Sequence, residues 1–289
     1  MNNEWSVKPI IRIRNLSFKY KNTEKITLDN INLDIREGEF VLITGPSGSG
    51  KSTLARIITG LIPNSYPGEL KGEISIMSLE PRRNKIYEIA QNVGLVLQNP
   101  ENQLFALTVE DDVAFGPENL GLDKEEIKRR VEWSLSVVDL QKERYKAPFE
   151  LSGGLQQRAA IAAVLAMKPK VLILDEPVSY LDTSAAVRFS SFLDKLRREL
   201  NLTIILIEQK IDLFFKFLSR IVVMDEGKIL VDGEPINVMN YCIKNKLPVN
   251  IPLQILIANK ILGKMYDRET LLNYEIDDYK SLFERMISR

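Results

Sequence analysis

The chain has 289 residues, 45% of them hydrophobic, with 39 lysines and arginines balanced by 39 aspartates and glutamates and no histidine. That content supports a packed core in one large domain, or in a domain with an appendage, and excludes wholesale disorder. Balanced charge argues against a dedicated nucleic-acid binder, and the single cysteine, Cys242, excludes an internal disulfide and fits a reducing compartment.

The first ten residues hold no apolar core of signal-peptide length. No stretch approaches the roughly 20 apolar residues of a membrane helix, so work at a membrane requires another chain as anchor. From Ile11 to Tyr20, and again from Ile26 to Ile35, apolar and polar residues alternate, which predicts two half-buried strands. The run Val41 to Gly45 reads as a buried strand that ends in glycine, and helical periodicity follows from Ser52 to Thr59. Gly72 to Met77 is another short strand.

Between them lies GPSGSGKS, Gly45 to Ser52, which fits G-x-x-x-x-G-K-[ST] after a strand and at the opening of a helix. Its glycines let backbone N–H groups turn toward phosphates, and the helix N-terminus adds positive potential. Gly45, Ser47, Gly48, Ser49, Gly50, Lys51, Ser52 and Thr53 are therefore the candidate phosphate-binding residues. Lys51 should reach the β- and γ-phosphates, and Ser52 should ligate Mg²⁺.

The middle of the chain, about residues 98–167, reads as mostly helical. Asp123 is a plausible cap there, and Ile127, Val131, Leu135 and Val138 share one helix face. Apolar strand candidates follow at Val171, Thr203 and Arg220, with a helix from Thr183 to Leu200 between the first two. That alternation implies a parallel sheet with crossover helices. The strand at Val171 ends in Asp175 and Glu176, at the edge where a parallel sheet meets its ligand. Asp175 suits a Mg²⁺ contact, and Glu176 suits orienting and deprotonating a water. After Pro235 short amphipathic helices alternate with turns, which reads as a small C-terminal appendage.

LSGGLQQR, Leu151 to Arg158, lies between those two motifs in the chain. With them it resembles the signature of the ABC ATPase family, over roughly the first 235 residues. The resemblance implies an α/β P-loop fold with a mixed central sheet, an N-terminal antiparallel β subdomain and a helical subdomain. It divides the chain into an ATPase domain, 1–234, and an appendage, 235–289, that helps two units stay together. By the same resemblance Tyr20 is the aromatic that stacks on adenine. Gln98 touches Mg²⁺ or its water and senses a membrane partner. Residues 179–182 cross between two nucleotide sites. Two units are expected to close head to tail on ATP, with Ser152, Gly153 and Gly154 of one holding the γ-phosphate bound by the other.

The stretch from Gln98 to Leu122 looks like the energy-coupling-factor (ECF) and cobalt–nickel importer branch. That likeness implies a peripheral motor on the cytoplasmic face of the cell membrane. It also implies a second ATPase subunit, a membrane coupling subunit and a substrate-binding membrane subunit, with vitamins or transition-metal ions as cargo. Leu104, Phe105, Leu107, Val109 and Phe115 are expected to line a groove for coupling helices. Glu101, Glu110, Asp111 and Asp112 are expected to meet basic groups there.

Two residues depart from the family pattern. Leu155 stands where the signature has glutamine. Gln209, at the end of TIILIEQKID, stands where the family has a histidine that bonds the γ-phosphate. An amide can still donate there but cannot become a cation, so Glu176, Lys51 and Gln209 form the expected catalytic set with reduced turnover. The glutamine marks either a natural weak site beside a stronger paralogue or a histidine replaced to hold ATP. A regulatory ATP-binding partner and a soluble, non-transport ABC ATPase are the competing readings.

Overall fold

The computed structural model describes residues 8–256. The alternating N-terminal segments form β1 (Ile11–Tyr20) and β2 (Leu28–Ile35), which pair antiparallel with each other; β4 (Gly68–Ile76) pairs antiparallel on the other side of β1. A second sheet of six strands runs β5 (Val93–Val96), β6 (Val171–Asp175), β7 (Thr203–Ile207), β3 (Phe40–Thr44), β8 (Arg220–Asp225), β9 (Lys228–Gly233). The first five are parallel and β9 turns back antiparallel on β8, so the sheet is mixed.

The parallel strands are apolar throughout because both faces are covered. Phe40, Leu42, Leu172, Leu174, Ile204 and Leu206 point into one core, while Val41, Ile43, Val171, Ile173, Ile205 and Ile207 point into the other. The period-2 alternation thus separates two apolar layers. One lies under the antiparallel sheet and α1 (Lys51–Ile58). The other lies under α6 (Gly153–Leu165) and α7 (Thr183–Leu200). The kinked turn α2 (Leu61–Asn64) and the short α3 (Ile86–Ala90) connect β4 to the main body.

α4 (Val109–Asn119) and α5 (Lys124–Val137) pack on α6 to form the helical part. Thr108 caps α4 by accepting from Asp111 N at 3.2 Å, and Asp123 caps α5 by accepting from Glu126 N at 2.8 Å. Val131, Leu135 and Val138 are buried and Ile127 packs against them, as the face spacing predicts.

α8 (Pro235–Asn245) starts with proline at its first position, and its Ile236, Val238, Met239 and Cys242 enter the same core as β7. Burial pushes the Cys242 thiol up to about 11. Residues 235–256 therefore dock on the ATPase core, and the remainder of the expected appendage lies outside the described residues. Among the described residues no helix is long and apolar enough to cross a membrane.

Candidate functional site

The loop between β3 and α1 owes its path to glycine. Gly45 has φ 142, and a Cβ there would sit 1.8 Å from the Met224 carbonyl oxygen. Gly50, at φ 102, would place a Cβ 2.7 Å from Leu28 Cδ2. Gly48 sits at φ 79 and faces open space. The Lys51 ammonium is buried inside the loop, donating to Gly45 O at 2.9 Å, Pro46 O at 2.7 Å and Ser49 Oγ at 3.2 Å. Burial lowers its pKa, and the negative charges of Glu176, Asp175 and Asp225 oppose that shift.

Beside the loop, the Ser52 hydroxyl hydrogen-bonds Asp175. Burial raises the Asp175 pKa; this bond acts against the rise and Glu176 acts with it. One carboxylate and one hydroxyl are hard oxygen donors. They leave the remaining positions of a magnesium ion to phosphate oxygens and water, the usual arrangement on nucleotides. The loop and these donors together fit a magnesium-bound triphosphate.

Glu176 follows β6 with φ 47, in the left-handed region, and its N–H donates to Ile207 O at 2.8 Å. That turn brings its carboxylate among three donors. Gln98 Nε2 lies 2.8 Å from Oε2, Ser179 Oγ 3.3 Å from Oε2, and Gln209 Nε2 3.3 Å from Oε1. Gln209 Nε2 also reaches Ser47 Oγ at 3.5 Å. Gln209 thus stands between the Glu176 carboxylate and the glycine loop. Glu208 is the inward support: 3% exposed, it accepts from Gln209 N at 2.8 Å and Lys210 N at 3.1 Å through Oε1, while Oε2 has no partner.

Tyr20 lies against α1, its hydroxyl 3.1 Å from Thr53 Oγ1 and accepting from Arg56 at 3.2 Å, its ring edge-on to Phe18. Arg56 escapes motif reading, although it falls one turn past Ser52 on the helix the motif opens.

Ser152 stands at the N-terminal boundary of α6 without a side-chain capping bond, and Gly153 and Gly154 form its first turn. With Leu155 they line a cavity of about 790 Å³ together with Tyr180, Leu181, Asp182 and Arg188. No residue of the phosphate loop is among its lining, so one chain does not bring its signature onto its own loop.

The groove is partly as expected. Phe105 and Phe115 meet edge to face with centroids 4.8 Å apart, and with Val164 and Met167 they line a mostly apolar cavity of about 320 Å³. Leu107 is exposed. Leu104 and Val109, expected in that lining, are instead buried core residues that bracket the approach to α4. Two acids are also corrected. Glu110 is held in a bidentate pair by Arg144 at 2.5 and 3.0 Å. Asp112 is 4% exposed and accepts from Phe105 N and Ala106 N at 3.0 and 3.1 Å. Asp112 faces inward because the loop before α4 needs its amides satisfied, while half-buried Glu110 is already neutralised by Arg144. Glu101 and Asp111 remain exposed.

A two-layer α/β body with a glycine loop, a hydroxyl–carboxylate pair and a second carboxylate lined up at the strand ends defines a P-loop ATPase. The chain belongs to the ABC transporter family, whose model matches residues 28–179. It is 44% identical over 235 residues to the energy-coupling factor transporter ATP-binding protein EcfA2 of Clostridium tetani, covering 80% of this chain and 81% of that one. Among solved structures it resembles cbiO1 of Clostridium perfringens, described as part of the ABC transporter complex cbiONQ. That match has a TM-score of 0.74 and 32% identity, over 89% of this chain and 96% of the other. It also resembles the ATP-binding cassette MJ0796 in a dimeric, post-hydrolysis state with ADP and Pi, with a TM-score of 0.67 and 30% identity over 78% and 98% of the two chains. The chain is thus an ABC ATPase that resembles the ECF branch.

Proposed function

We propose that this chain is the ATP-hydrolysing motor of an ECF-type importer of vitamins or transition-metal ions, closing head to tail with a second ATPase subunit and driving a membrane coupling subunit. The observation that carries the coupling is the path of the chain from the end of β5 into α4. Gln98, at its start, donates to Glu176, and Gln103, Phe105, Asp112 and Phe115, further along, line the apolar groove. A helix seated in that groove therefore bears on the residue that holds the catalytic carboxylate.

Hydrolysis follows from the same corner. Glu176 accepts the proton of a water directed at the γ-phosphate, Gln98 and Ser179 keep its carboxylate aimed, and Gln209 spans from it toward Ser47. Lys51 holds phosphate oxygens in place of the Gly45 and Pro46 carbonyls it now meets. Ser52, Asp175 and Gln98 would hold the magnesium ion, which supplies charge neutralisation on the phosphates. Tyr20 offers its ring to adenine.

The dimer reading is supported by the signature glycines. Neither has a positive φ, and a Cβ on Gly153 or Gly154 would meet nothing closer than 3.7 or 3.9 Å. Nothing in this chain requires glycine there, whereas a phosphate approaching bare backbone from a second subunit does.

The test is purification of the chain with its membrane subunits, identification of the bound cargo, and ATP turnover with and without those subunits. A chain that hydrolyses ATP alone at full rate and retains no membrane protein would overturn this reading in favour of a soluble ATPase.

A further inference from the structure

The switch residue is pinned at both ends of its own peptide. Its N–H donates to Glu208 Oε1 at 2.8 Å. Its carbonyl accepts from Ile211 N at 3.1 Å and, on its second lone pair, from Asn250 Nδ2 at 2.9 Å. Three residues further along, Leu253 N donates to Asp212 Oδ1 at 2.8 Å, a second tie to the same loop. The strand ladder ends at Ile207, so no sheet neighbour does this work. Leu247, Val249 and Ile251 pack against the core on which β7 sits, which fixes the segment that carries Asn250.

We propose that Asn250 is a positioning residue for Gln209, which makes the segment after α8 part of the hydrolysis machinery. The inference rests on the reading of Gln209 as the γ-phosphate switch and deepens it. The side-chain contacts of Gln209, at 3.3 and 3.5 Å, are long, so they do not hold the amide by themselves. Its aim is set by its backbone, and a misplacement of about 1 Å at a reacting centre can cost 10²-fold. Asn250 lies 41 positions from Gln209 and outside every nucleotide motif, yet it grips the carbonyl of that residue. Any displacement of the C-terminal segment therefore reaches the switch.

The test uses the complex with its membrane subunits carrying Asn250→Ala, Asn250→Gln, Gln209→Ala, and Asn250→Ala combined with Gln209→Ala. Asn250→Ala should lower kcat roughly 3- to 10-fold, the range of one net hydrogen bond. KM for ATP and Tm should stay as in the parent. Asn250→Gln, which keeps an amide donor, should recover most of the loss. In the Gln209→Ala background Asn250→Ala should cost nothing further. Independently, Asn250→Ala in the full-length chain should speed amide hydrogen exchange across residues 208–213 and leave α1 unchanged. An unaltered kcat with unaltered exchange overturns the proposal, and so does an equal loss in both backgrounds. A parent without turnover, or a silent Gln209→Ala, sinks the reading of Gln209 instead. The exchange measurement then decides the placement by Asn250 alone.

Discussion

Gln209→Ala removes one amide donor from Glu176 and from the edge of the phosphate loop. A hydrogen bond to a charged group is worth about 1.5–3 kcal/mol. At 3.3 Å this one is long, which places it in the lower part of that range, about 1.5–2 kcal/mol. At 1.36 kcal/mol per tenfold, kcat should fall roughly 10- to 30-fold. ATP binding should persist, because the loop, Lys51 and Ser52 are untouched. Gln209→His should instead exceed the parent rate, since an imidazole adds a cationic donor where the amide is neutral. It should also introduce a step in the pH–rate profile near about pH 6.5, where the histidine-free parent has no imidazole to titrate. The assay is ATP turnover of the complex with its membrane subunits, with single-turnover measurements to separate binding from chemistry. Parent-like turnover in Gln209→Ala, or an unchanged rate in Gln209→His, would refute the assignment of Gln209 to the reacting phosphate.

Gly153→Ala and Gly154→Ala each have room for a methyl group, so Tm should hold or rise slightly; ATP-dependent dimerisation, read by light scattering in a Glu176→Gln background, should be lost. Phe105 and Phe115 are exposed while Leu104 is core. Phe105→Ala with Phe115→Ala should abolish co-purification with the membrane subunits at nearly constant Tm, whereas Leu104→Ala should cost about 2–5 kcal/mol of stability. Burial raises the Glu208 pKa above its ordinary value, outweighing the two backbone amides it accepts. The folded state therefore binds this proton more tightly than the unfolded one, and stability should decline as pH rises from about 4.5 through the folded pKa. Glu208→Gln should flatten that decline in urea unfolding measured across pH; an identical slope would remove Glu208 as its source.

What the sequence disclosed is local. GPSGSGKS and the Asp175–Glu176 pair carry their own backbone requirements, and the alternation of β1 and β2 names their faces. β5 escaped because four residues give no period to read, and β9 because its burial alternates only between partly covered and exposed positions. Helical and strand periodicity both fail in the loop from Leu104 to Thr108, so the inward turn of Asp112 and the burial of Leu104 became visible only with the amides of Phe105 and Ala106 in place. Asn250 is a contact across 41 positions from a segment with no motif, and no local pattern announces such a contact.

The order of the strands explains why an uncharged residue can hold the histidine position at all. β5, β6, β7 and β3 are neighbours in that order, all parallel. The residues just beyond their ends, Gln98, Glu176, Gln209 and Ser47, must therefore stand in the same order along one edge. Their hydrogen bonds follow it: Gln98 to Glu176, Gln209 to Glu176, and Gln209 to Ser47. The position of residue 209 is thus dictated by topology rather than by its chemistry. It must bridge a carboxylate on one side and a phosphate loop on the other. An acceptor-only side chain would face Glu176 with like polarity, and an apolar one would leave both neighbours unbridged. Glutamine meets the geometric demand through its amide donor. What it gives up is the positive charge, so its deficit should appear in the chemical step rather than in nucleotide binding.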